Sequence, residues 1–180
     1  ICLGTKYDLD YKSPDKSGQI FKSGDDLVSM YKELCQAYNI VSIEDPFDKE
    51  DWERFKHFSS LGICQVVGDA LLMSDPKRIE RAAREAACDA LLLKMNELGT
   101  VTEAIERAKA AKEAKWGVAI SERSGESEDC FSADFAVGVG IGQIKAGAPC
   151  HGERIAKYNQ LLRIEEELGE DVFFMGEEWR

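Results

Sequence analysis

The sequence predicts an α/β fold in which short parallel strands alternate with helices. Three observations carry that expectation. Five short apolar segments recur, at 40–44, 63–68, 89–94, 116–121 and 142–145. A helical pattern follows each one. No two neighbouring strand segments are joined by a hairpin turn, so the connections read as right-handed crossovers between parallel strands. A portion of a β/α barrel and an open doubly wound sheet both fit this order. No Gly-x-Gly-x-x-Gly loop follows a strand, which leans against a dinucleotide-binding sheet. GVGIGQ, at 138–143, resembles such a loop but precedes a strand.

Each element has its own local reason. Residues 1–24 are rich in Lys, Asp, Ser and Gly, and KSPDKSGQ at 12–19 reads as a turn or loop. Leu27, Met30, Tyr31, Leu34 and Cys35 fall on one face of a helix over 25–38. IVSIE, at 40–44, is a short buried strand. A helix over 49–60 turns Trp52, Phe55 and Phe58 inward, and ICQVVG at 63–68 is the next strand. Pro76 suits a first helical turn with Asp75 as N-cap, and that helix runs to about Ala87. DALLLK, at 89–94, is a strand, 102–115 a helix and 116–121 a strand. A helix over 128–137 and the strand end GQIK, at 142–145, follow. The last long helix spans 152–168, and IEEELGED at 164–171 reads as a solvated helix end and turn.

With 180 residues the chain has room for one domain with a substantial core. Its 44% hydrophobic and 32% charged residues are ordinary for a soluble globular protein. A net charge of −11 argues against nucleic-acid or anionic-membrane partners, which need a basic patch. No apolar run reaches membrane-spanning length, and the opening ICLGTKYDLD has no signal-peptide pattern. The first residue is not Met, as expected of a fragment or a processed product. Six cysteines, none in a C-x-x-C pair, read as buried free thiols in a reducing compartment, the cytosol.

The sharpest signal lies at the strand ends. Glu44 closes the first strand, Asp69 the second 25 residues later, and Lys94 the third after another 25. Glu122, Arg123 and Ser124 follow the fourth, and Lys145 closes the fifth. In a β/α barrel the carboxyl ends of the strands share one catalytic face. Glu44 and Asp69 there read either as hard-oxygen ligands for Mg²⁺ or as strand-end charges and caps. Lys94 and Lys145 each read as a general base for proton abstraction next to a carboxylate, or as a partner in a structural ion pair. Arg123 with Ser124 suits a phosphate, or is a surface turn. Both histidines take structural readings: His57 sits on a helix near aromatics, and His151, at the start of the last helix, has a surface or capping role.

In order, VSIEDPFDKEDW, VVGD, PKRI, DALLLK, RSGE, GQIKAGAP and YNQLLRIEEELG resemble the C-terminal part of enolase, phosphopyruvate hydratase, and SSLGICQVVGD, LLMSDPKRIERA and KAGAPCHGER resemble its plant or algal form. The likeness runs from about Tyr7 to the end. It implies a partial β/α, TIM-like barrel of five parallel strands, with 1–180 as the C-terminal part of the barrel domain. The N-terminal domain and the early barrel strands would lie outside this chain. It also implies Mg²⁺-dependent dehydration of 2-phosphoglycerate to phosphoenolpyruvate in glycolysis, and a cytoplasmic homodimer. On this resemblance Glu44 and Asp69 hold magnesium, Lys94 takes the C2 proton, and Lys145 steadies the charged carboxylate intermediate. Arg123 and Ser124 hold the phosphate or a loop linked to the metal.

The chain also departs from the family pattern. The third magnesium carboxylate and the glutamates of proton delivery belong upstream of the KYDLD segment. Asp69-Ala70 stands for the usual Asp-Asp, Glu97 for a neutral Gln, and Glu122 for the His before Arg-Ser-Gly. These departures raise the alternative of a non-catalytic binding or scaffold protein.

Overall fold

The computed structural model describes residues 2–4, 6–15 and 20–179. It contains two sheets. The larger has five strands, β4 (Ser42–Glu44), β5 (Gln65–Gly68), β6 (Ala90–Leu93), β7 (Gly117–Ser121) and β8 (Gln143–Lys145). They lie in sequence order and every neighbouring pair is parallel. The smaller has three antiparallel strands, β1 (Cys2–Leu3), β2 (Lys6–Asp8) and β3 (Phe21–Ser23).

The smaller sheet lies outside the five segments read as strands, and it adds paired strands to the polar opening. Leu3 pairs with Lys6, and Gly4 after Leu3 takes a left-handed φ of 66°, which favours glycine. Strands this short carry no period-2 apolar signal. Part of the loop expected at 12–19 lies outside the described residues.

The helices are α1 (Gly24–Ala37), α2 (Trp52–Ser60), α3 (Pro76–Glu85), α4 (Val101–Glu113), α5 (Phe131–Gly138) and α6 (Gly152–Leu168). Their starts follow their caps. Ser23 and Asp26 form a reciprocal capping box at α1, Asp75 accepts from Lys77 N–H at α3, and Thr100 accepts from Glu103 N–H at α4. The helices expected from 49 and 128 begin three residues later in each case, at Trp52 and Phe131. The residues before them form turns, with Asp48 and Asp129 accepting backbone N–H groups two residues on.

The two faces of the large sheet carry different cargo. Val66, Leu91, Leu93, Val118 and Ile120 belong to the main core with the helices, beside Phe47, Phe55 and Phe58. Val67, Ala90, Leu92 and Ala119 form a second, smaller cluster on the opposite face. Period-2 alternation produces this split. At the amino-terminal end of that inner face Gln65 receives bonds from Ser42 and Gln143. Gly117 leaves it room, since a Cβ there would stand 2.5 Å from Gln65 Nε2.

The cysteines are free, as expected, but not uniformly buried. Cys88 is buried, Cys150 is exposed, and the other four are partly exposed. No described helix is long and apolar enough to cross a membrane.

Candidate functional site

Alternation decides which strand-end side chains share a face. Glu44 is two residues beyond Ser42, Asp69 two beyond Val67, Lys94 two beyond Leu92, and Lys145 two beyond Gln143. All four therefore continue the inner face at the carboxyl ends of their strands. They meet there as two ion pairs. Lys94 Nζ donates to both Asp69 oxygens, at 2.6 and 2.5 Å. Lys145 Nζ donates to both Glu44 oxygens, at 2.8 and 2.6 Å, which ties the first strand of the sheet to the last. Glu97 extends the first pair, 3.8 Å from Lys94 Nζ and 3.0 Å from Arg123 Nη1. The charges Asp69, Lys94, Glu97 and Arg123 thus form one chain around the mouth. A cavity of about 490 Å³ opens beside it, lined by Lys49, Asp69, Ala70, Met73, Lys94 and Glu97.

Asp45 was not singled out in the sequence, although it directly follows Glu44 and precedes a proline. Its backbone sits at φ 42°, and its carboxylate accepts the N–H groups of Asp69 at 3.1 Å, Ala70 at 2.7 Å and Leu71 at 3.4 Å. Asp45 therefore sets where the exit loop of β5, and with it Asp69, can stand. Burial pushes its carboxyl above the usual carboxylate range, against the pull of those three donors.

Glu122 does not continue the inner face. Ser121 occupies the inward position and is buried, so Glu122 turns outward toward α5. There Ser132 Oγ donates to Glu122 Oε1. Burial raises the Glu122 carboxyl, and neighbouring Glu126 adds to that rise. Arg123 N–H donates to Glu126 Oε1 at 2.9 Å. From α6, Arg154 Nη2 donates to the Ser124 carbonyl at 2.9 Å. Lys157 Nζ donates to the Ser127 carbonyl at 2.5 Å and stands 3.8 Å from Glu126 Oε2. Lys157 is fully buried, and it is the one buried residue of α6. Burial works against ionisation of Glu126, but the Arg123 N–H, Glu122, Lys157 and Arg154 hold its carboxyl below the usual value. Glu122, Arg123, Glu126 and Ser132 border a cavity of about 180 Å³.

Glu126, Ser132 and Lys157 were also missed in the sequence. A lysine amid the charges of a long helix reads as solvated, so nothing marked Lys157. Both histidines lie exposed, His57 on α2 and His151 just ahead of α6. Among the described residues no group of three or more His, Cys, Asp or Glu stands ready as a metal site. Glu44 and Asp69 do supply hard oxygen donors on adjacent strands. That donor set suits Mg²⁺, which binds through one or two carboxylates and keeps several waters.

Parallel strands in sequence order, with charged groups converging at their carboxyl ends, define half of a β/α barrel with this mouth at the carboxyl ends of its strands. The family profile described as "Enolase, C-terminal TIM barrel domain" matches residues 3–180, and the chain belongs to that family. It is 68% identical over 180 residues to "Cytosolic enolase 3" of Arabidopsis thaliana, covering 100% of this chain and 38% of that protein. It is 55% identical over 176 residues to "Enolase 2" of Hevea brasiliensis, covering 97% of this chain and 40% of that one. The chain thus spans about two fifths of the length of these relatives.

Proposed function

We propose that these residues are the C-terminal part of an enolase barrel and contribute to the cytosolic, Mg²⁺-dependent dehydration of 2-phosphoglycerate to phosphoenolpyruvate. The convergence of Glu44, Asp69, Lys94 and Lys145 on the inner face carries this reading. Glu44 and Asp69 would hold the magnesium, which when bound draws off the negative charge that builds on the substrate carboxylate. With Asp69 turned to the magnesium, Lys94 Nζ would be released from its ion pair and, as the free amine, would accept the C2 proton. Lys145, cationic on the last strand, would steady the resulting ene-diolate. Arg123 and Ser124 would hold the phosphate, with Arg123 exchanging Glu97 for the anion. The resemblance assigns the proton for the departing C3 hydroxyl to glutamates upstream of this chain, and the dimer to the whole protein.

The test is phosphoenolpyruvate formation with Mg²⁺ by this chain, alone and mixed with the N-terminal remainder of a related enolase. Activity that depends on the remainder and is abolished by Lys94→Ala is the expected result. No turnover in either state, together with no phosphate-ester binding, would overturn it.

A further inference from the structure

We propose that Glu122 and Glu126 share one proton, and that losing it weakens the hold of the Arg123–Ser124 loop on an anion. The inference rests on the reading of that loop as an anion site and adds its regulation.

The arrangement is a cluster with one proton's worth of imbalance. Glu122 Oε1 already accepts from Ser132 on α5. Glu122 and Glu126 border the same cavity, and Glu126 favours the protonated form of Glu122. Glu126 cannot readily take the proton itself. One of its oxygens accepts the Arg123 N–H, and the other faces Lys157 at 3.8 Å. With Glu122 protonated, its O–H donates to the Glu126 carboxylate and its remaining oxygen keeps Ser132. Every polar atom of the pair is then matched, and Lys157 balances the single negative charge.

Raising the pH sends that proton to solvent. Two carboxylates then stand together in a half-buried site, and one buried ammonium, Lys157, offsets only one of them. The other groups facing the pair do not repair this. Ser132 from α5 is neutral, Asp129 at the entrance to α5 is acidic and borders the same cavity, and Arg154 from α6, whose charge already favours the ionised Glu126, donates to the Ser124 carbonyl and not to Glu122. The residue under strain is the one directly before Arg123. Glu126 is the staple that holds the Arg123 backbone. Deprotonation therefore adds a negative charge beside the anion seat and loosens the staple.

The experiment uses inorganic sulfate, which keeps its double charge between pH 5 and 8, so the ligand does not titrate. Sulfate affinity is measured by calorimetry across that range. For the natural chain, affinity is expected to fall about tenfold as pH rises, the effect of one added charge within several ångströms of the anion. Glu122→Gln keeps the shape, the bond from Ser132 and a donor to Glu126, and should bind at the tight limit at every pH. Ser132→Ala removes a donor to the ionised form, and should move the midpoint of the fall to higher pH. A natural chain with flat affinity, or a Glu122→Gln chain that keeps the slope, overturns the inference while leaving the anion loop standing. Sulfate binding that survives Arg123→Gln, or no binding by any form at any pH, overturns the anion loop and this inference with it.

Discussion

The centre and the margins of the large sheet bear the same kind of ion pair in different surroundings. Strands β5, β6 and β7 are buried at every residue, whereas β4 and β8 are only partly buried and end exposed. Lys94 and Asp69, at the centre, keep 13% and 18% of their side chains exposed. Lys145 and Glu44, at the margins, keep 51% and 34%. Bond lengths hardly differ between the two pairs. The difference is solvent, and it teaches that the central pair is part of the folded frame while the marginal pair waits on what lies against the sheet edges.

Two perturbations separate the two zones, and two smaller ones probe the Arg123 loop and the α1 cap. The largest effect should come from the core. Leu91→Ala, at a fully buried position, should cost about 2–5 kcal/mol, and Ile144→Ala on β8 less than half as much. Urea unfolding measures both, and equal losses would erase the distinction. Next, in the metal-free chain, Asp69→Asn should cost about 1–3 kcal/mol because Lys94 is left short of its partner in a sheltered place. Glu44→Gln should cost about 0–1 kcal/mol, and added salt should diminish that loss further. A larger loss at Glu44 would show that the margin is already closed in solution.

Glu97→Gln comes third. It releases Arg123 from its 3.0 Å partner, so sulfate should bind a few-fold more tightly, in line with one partly exposed ion pair. Unchanged affinity would mean that Arg123 does not reach the anion. The smallest effect belongs to α1, whose cap stands in solvent. The backbone N–H and then the hydroxyl of Ser23 hold the Asp26 carboxyl below its usual value. The sign follows from the folded form preferring the ionised group. This support is present above the ordinary aspartate titration and disappears as pH falls through the depressed one. Amide protection in the first turn of α1, measured against intrinsic exchange, should fall at acid pH, and Asp26→Asn should remove that dependence.

The legible parts of the molecule were those where one force acts alone. Buried parallel strands must be continuous apolar runs, so ICQVVG, DALLLK and the segment before Glu122 declared themselves. The rhythm of 25 residues then put Glu44, Asp69 and Lys94 at equivalent ends. What stayed hidden depends on contacts between distant residues. The pairing of Lys94 with Asp69 and of Lys145 with Glu44 needed the register of the strands. The outward turn of Glu122 needed the knowledge that pairing runs one residue past β7, where its N–H donates to the Lys145 carbonyl at 3.0 Å. Lys157 offered no local signal, because its burial comes from the loop that folds over it. The strands β1–β3 are too short and polar for a pattern to emerge.

The contact between Glu44 and Lys145 also has a place in time. Each neighbouring pair of β4–β8 joins consecutive segments, so the sheet can assemble as the chain grows, one strand against the last. The salt link alone joins residues 101 positions apart. It cannot form until the fifth strand has arrived, and it marks the moment when the row of strands first bends back toward its own beginning.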